Sequence, residues 1–80
     1  MPTVLRQRGY RFYFFALEGN EPPHVHVDKG SGTAKLWLRT LAVASAENLK
    51  PSEVREALSI ARNHHSLLLH AWHAFERRKG

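Results

Sequence analysis

The sequence predicts an α+β fold: a small antiparallel sheet of three to four strands followed by a long C-terminal helix, broken near Asn63 if it breaks at all. Three observations carry this. HVHVD (24–28) and TAKLWLR (33–39) alternate strictly and flank KGSG, the pattern of a hairpin. From Pro51 the apolar spacing changes to helical: Val54, Ala57, Leu58, Ala61, Leu68, Trp72 and Phe75 fall on one stripe. The chain has 80 residues and no cysteine, so one two-layer domain spanning residues 1–80 must form without disulfides. Residues 1–39 read as sheet, 40–50 as connector and 51–78 as helix.

A first short strand is expected near Thr3 to Arg6, ending at Gly9. Tyr10 to Leu17 (YRFYFFAL) is strongly aromatic and suits a central strand. Gly19, Asn20, Pro22 and Pro23 then punctuate the chain. Alternation sorts the next two strands into faces. The simplest sheet turns Val25, Val27, Leu36 and Leu38 inward and leaves His24, His26, Lys35, Trp37 and Arg39 on the second face. The aromatic strand does not choose: Tyr10, Phe12, Phe14 and Ala16 compete with Arg11, Tyr13, Phe15 and Leu17 for the core. With aromatics on both sides, something is expected to cover part of the second face. TLAVASAENLK (40–50) reads as a connector that tucks Leu41 and Val43 into the core.

Pro51 suits the first turn of a helix, where its missing N–H is no loss. Lys50 before it is a poor N-cap. An unbroken helix to Arg78 would run about 40 Å at 1.5 Å per residue, against about 23 Å for a seven-residue strand. It would overhang the sheet with Leu67, Leu68 and Leu69 on a wide apolar arc. Either a bend wraps these leucines onto the core, or Leu67, Leu69 and Trp72 dock a partner or a second copy of the chain.

Chemistry is concentrated in EPPHVHV (21–27). His24 and His26, two apart on a strand, emerge on one face as a candidate acid and base for phosphodiester cleavage. With Asp28 they form the weaker alternative of a metal site, though no metal or other cofactor is expected. His64 joins the histidine pair only if the helix covers the histidine face. The net charge of +5 favours an acidic partner such as RNA or an acidic protein. Arg11, Tyr13, Lys35, Trp37 and Arg39 are the candidate nucleic-acid contacts, since cations and aromatic rings on an open sheet hold single strands by phosphate contact and stacking. The RRKG tail is better explained by the favourable placement of cations at a helix C-terminus. No run is long enough to span a membrane, no secretory signal is evident, and no phosphate-binding Gly-rich loop or nucleophile elbow is present. The expectation is a cytoplasmic protein without membrane contact.

The run MPTVLRxxGYRFYFxxxEGNEPPHVHV, the AKLWL strand and the ending HAWHAF resemble the domain of unknown function 4160, a family of short prokaryotic proteins, over residues 1–78. The resemblance maps the family's recurrent residues onto Arg6, Gly9, Tyr10, Arg11, Glu18, Pro22, Pro23, His24, His26, His64 and Trp72, the last two in an H–x(7)–W spacing. Lys50 departs from the small polar residue usual at that position. The resemblance implies a gene context rather than a chemistry: a toxin–antitoxin-like pair with a small acidic partner similar to the domain of unknown function 2442. The expected function is therefore the toxin-like member of a type II module acting on RNA or the translation machinery, a metal-independent ribonuclease being the enzymatic form. The alternative is a non-catalytic interaction module, an operon regulator or inhibitor of a larger assembly, working through the C-terminal helix.

Overall fold

The structure, a computed structural model, describes residues 3–15 and 21–79, with side chains as far as Arg77. It is α+β, with five strands rather than three or four. They are β1 (Thr3–Gln7), β2 (Tyr10–Tyr13), β3 (His24–Lys29), β4 (Gly32–Trp37) and β5 (Val43–Glu47), followed by α1 (Pro51–Asn63) and α2 (His65–Lys79). The sheet order is β1-β2-β3-β4-β5, and every neighbouring pair is antiparallel. Ala16, Leu17, Glu18, Gly19 and Asn20, which carry part of the central-strand and turn expectations, lie outside the described residues.

Two tight turns set the register. Gln7 pairs with Tyr10 across a two-residue turn in which Arg8 and Gly9 both have positive φ, 54° and 83°. That is the handedness that a two-residue hairpin needs. Lys29 pairs with Gly32 across Gly30 and Ser31, with Gly30 at φ 58°. The second glycine of GSG has a different task. A Cβ on Gly32 would lie 2.4 Å from both the Asn48 carbonyl oxygen and Leu49 Cδ2.

β5 occupies what reads in sequence as a connector. Its VASAE carries one β-branched residue and no aromatic, so its local signal is weak. Pairing with β4 supplies partners for that strand's outer backbone groups, a tertiary demand that local pattern does not reveal. Leu41, at φ 58°, turns its side chain against the core as expected, whereas Val43 stays 38% exposed.

The helix breaks at His64. The His64 N–H still reaches the Ile60 and Ala61 carbonyls at 3.1 and 3.3 Å, and its own carbonyl accepts the Leu68 N–H at 2.9 Å, so α2 restarts at once. Length explains the break: a straight helix would leave its apolar arc beyond the sheet. The bend brings Leu68 and Trp72 fully into the core and lays Leu69 and Phe75 against it, while Leu67 remains 47% exposed. Burying a leucine or an aromatic side chain contributes about 1.5–3 kcal/mol each, enough to offset one interrupted turn. At the start of α1, Lys50 offers no accepting side chain. The Glu53 carboxylate instead accepts the Lys50 backbone N–H at 2.8 Å.

The helices pack on the face bearing Val25, Val27, Leu36 and Leu38, joined by Tyr10, Phe12 and Phe14 of the aromatic strand and its extension. That settles the competition within YRFYFF. Arg11 and Tyr13 point away from the core, and Phe15 is exposed. Among the described residues, Trp72 of α2 reaches this second face at its His24 end, where the ring centroids are 5.0 Å apart, so that end is covered.

Candidate nucleic-acid interface

The strand register assembles the outer face as a grid. Tyr13, His26, Lys35 and Ser45 follow one another across β2, β3, β4 and β5. Arg11, Asp28, Thr33 and Glu47 form the neighbouring row, which Arg6 of β1 extends beside Arg11. His24 and Trp37 pair at the other end. Distant sequence segments are thus brought together by antiparallel pairing alone.

The rings touch in sequence across the face. Tyr13 stacks on His26 with centroids 5.5 Å apart. Phe15 meets His26 edge-on at 5.8 Å, His24 meets His26 at 5.5 Å, and His24 meets Trp37 at 5.9 Å. Cations sit over the rings: the Arg11 guanidinium is 4.5 Å from the Tyr13 centroid, and Lys35 Nζ is 4.8 Å from that of Trp37. Such contacts hold the charges in place. The Arg11 Nε–H donates to Thr3 Oγ1 at 2.8 Å, Lys35 donates to Glu21 at 2.7 Å, and the Tyr13 hydroxyl donates to Asp28 at 3.1 Å. Burial and the bond to Asp28 push the Tyr13 hydroxyl pKa up. The bond from Lys35 holds Glu21 below the ordinary carboxylate range.

The two strand histidines differ. His24 is 8% exposed. Its Nδ1–H donates to the Pro22 carbonyl at 3.0 Å, and its ring lies 5.0 Å from Trp72, so it plugs the end of the sheet. His26 is half-buried among the outer-face rings. Burial, followed by the neighbouring His24 ring and the Lys35 ammonium, lowers its pKa. His26 is therefore neutral at pH 7, the state a proton acceptor needs.

Other candidates fall elsewhere. Arg39 lies exposed in the turn after β4, outside the grid. His64 is at the helix break, and the helices cover the opposite face from His26, so the condition for its joining the pair is not met. Its neighbour His65 donates from Nε2 to the Leu38 carbonyl, latching the break to the sheet. Trp72 is 3% exposed and belongs to the core, and Leu69 packs against it. Of the three docking residues expected on the helix, Leu67 alone is exposed. Among the described residues no three His, Asp or Glu side chains are grouped to hold a metal ion, so His24, His26 and Asp28 do not form one. Asp28 is instead engaged by Tyr13 and lies 3.9 Å from Arg11. Among the described residues no helix is long and apolar enough to cross a membrane.

Three contributors went unrecognised in sequence. Phe15, 45% exposed, carried a usable signal, because it shares strand parity with Tyr13. Glu21 carried none, since its partner Lys35 lies fourteen residues along the chain, whereas Arg6 could have been placed opposite Arg11 from the short turn between them.

A family model described as a domain of unknown function, DUF4160, matches residues 9–73. No curated protein matches. No solved structure matches.

Proposed function

The chain belongs to the family of the domain of unknown function DUF4160, and we propose that it is a cytoplasmic, toxin-like member of a toxin–antitoxin-like pair that binds single-stranded RNA on its outer sheet face. One observation carries the RNA reading: Tyr13, Phe15, His26 and Trp37 form an open ring surface with Arg11 and Lys35 fixed over it. Bases stack on rings whatever their sequence, and phosphates follow the cations. The toxin-like role rests on the family resemblance. A small acidic protein, similar to the domain of unknown function 2442, is the proposed neutralising partner. It would compete with RNA for Arg11 and Lys35 on the same face.

Catalysis, in this reading, belongs to His26. Neutral and half-exposed, it accepts the 2′-hydroxyl proton of a bound nucleotide. The 2′ oxygen attacks the adjacent phosphorus, the bond to the 5′ oxygen breaks, and the leaving oxygen takes a proton from solvent. Arg11 and Lys35 stabilise the charge that develops on phosphorus. His24, with its Nδ1–H committed to Pro22 and its ring under Trp72, positions His26. The interaction-module reading is less well supported, because two of its three docking residues are buried or half-buried.

The test is induced expression of the wild type, His26→Gln and Tyr13→Ala/Trp37→Ala without any neighbouring gene, following growth and total RNA. The proposal expects arrest with RNA loss in the wild type, no RNA loss with His26→Gln, and neither effect in the double variant. Equal arrest by all three folded proteins moves the activity off this face.

A further inference from the structure

We propose that Arg6 and Arg11 form a phosphate anchor at the β1–β2 end of the outer face, holding one backbone phosphate of a single-stranded RNA laid across the rings. This deepens the RNA reading and rests on it. The two arginines are directly opposite each other in the sheet register. Cross-strand partners share a face, and like charges placed so are destabilising in the free protein. A pair of this kind gains a favourable partner when an anion bridges it, and guanidinium groups are well shaped for phosphate oxygens.

The surroundings leave room for a phosphate. A hollow of about 290 Å³ at this hairpin end is lined by Arg6, Gln7, Arg8, Gly9, Tyr10 and Arg11. Arg11 is already oriented, with Nε–H on Thr3 Oγ1 and its plane over Tyr13. Asp28 Oδ2 makes a long ion pair with Arg11 Nη1 at 3.9 Å, while its Oδ1 accepts from the Tyr13 hydroxyl, and an incoming phosphate would have to compete with it for Arg11. The other cations nearby are engaged. Arg8 lies 3.4 Å from Glu56, and Lys29 Nζ lies 4.4 Å from the Tyr10 ring centroid. Arg6 is exposed and makes no ion pair among the described residues. The anchor sits one row, two strand residues, from Tyr13 and His26, so a chain fixed there continues onto the rings.

The experiment is fluorescence anisotropy of a labelled ten-nucleotide single-stranded RNA against salt concentration, with wild type, Arg6→Ala and Arg6→Lys, beside the melting temperature of each protein. Losing one phosphate contact lowers the slope of log affinity against log salt by about 0.7 for a single strand. Arg6→Ala is expected to show that shallower slope with weaker binding, alike for uridine and adenosine oligomers. Its melting temperature should stay level or rise, because the opposed charge is gone. Arg6→Lys should keep the wild-type slope. Wild-type affinity and slope in Arg6→Ala would overturn the anchor while leaving RNA binding intact. Absence of binding by the wild type itself would overturn the RNA reading and the anchor with it.

Discussion

His26 is the residue at which environment and chemistry meet. Its lowered pKa has a thermodynamic consequence with a defined sign. Between the lowered folded value and the ordinary value of 6.5, the unfolded chain binds more protons than the folded one. The resulting stability is fully present above about 6.5. It is lost as pH falls toward the folded value and changes no further below it. The melting temperature of the wild type should therefore drop on moving from pH 7 to 5, and His26→Gln should flatten that drop. The carboxylates Glu21 and Glu56, whose pKa values are lowered by bonds from Lys35 and Tyr10, act in a separate window below about 4.5, where their stabilisation is lost on acidification. An equally steep response in His26→Gln would assign the titration elsewhere. Strand parity made His26, Lys35 and Trp37 legible as neighbours in the sequence. It did not reveal the burial of His24, which depends on Trp72, forty-eight positions away.

At the scale of elements, the break at His64 decides what the C-terminal helix presents. It carries Leu68 into the core and leaves Leu67 in solvent. Leu68→Ala should cost about 2–5 kcal/mol, a large part of the stability of so small a domain. Leu67→Ala should stay within about 0.5 kcal/mol. Chemical denaturation of both variants checks this, and comparable losses would mean that α2 packs through another face. The helical period and Pro51 were readable, as was the length mismatch that demands a break. β5 was not readable, because a strand of two Ala, a Ser, a Glu and a single Val owes its existence to the pairing needs of β4. The face chosen by the aromatic strand was hidden for a related reason. Tyr10 and Tyr13 are equally apolar in pattern, and the choice is made by which partner each meets: Glu56 of α1 for the Tyr10 hydroxyl, at 2.8 Å, and Asp28 of β3 for that of Tyr13.

Among the described residues the molecule is two-sided: two helices seal one sheet face, and the other carries the rings with Arg11 and Lys35 over them. Its two tryptophans report on the two sides separately. Trp72 is buried in the core, and Trp37 is half-exposed beneath Lys35 on the outer face. Stacking of a base on an aromatic side chain contributes about 1–3 kcal/mol. The most direct measurement is tryptophan fluorescence during titration with a single-stranded RNA oligonucleotide, comparing the wild type with Trp37→Phe. The account predicts saturable quenching in the wild type that disappears in Trp37→Phe while Trp72 emission holds steady. No change in the wild type, or quenching that survives the loss of Trp37, would contradict an RNA-binding outer face.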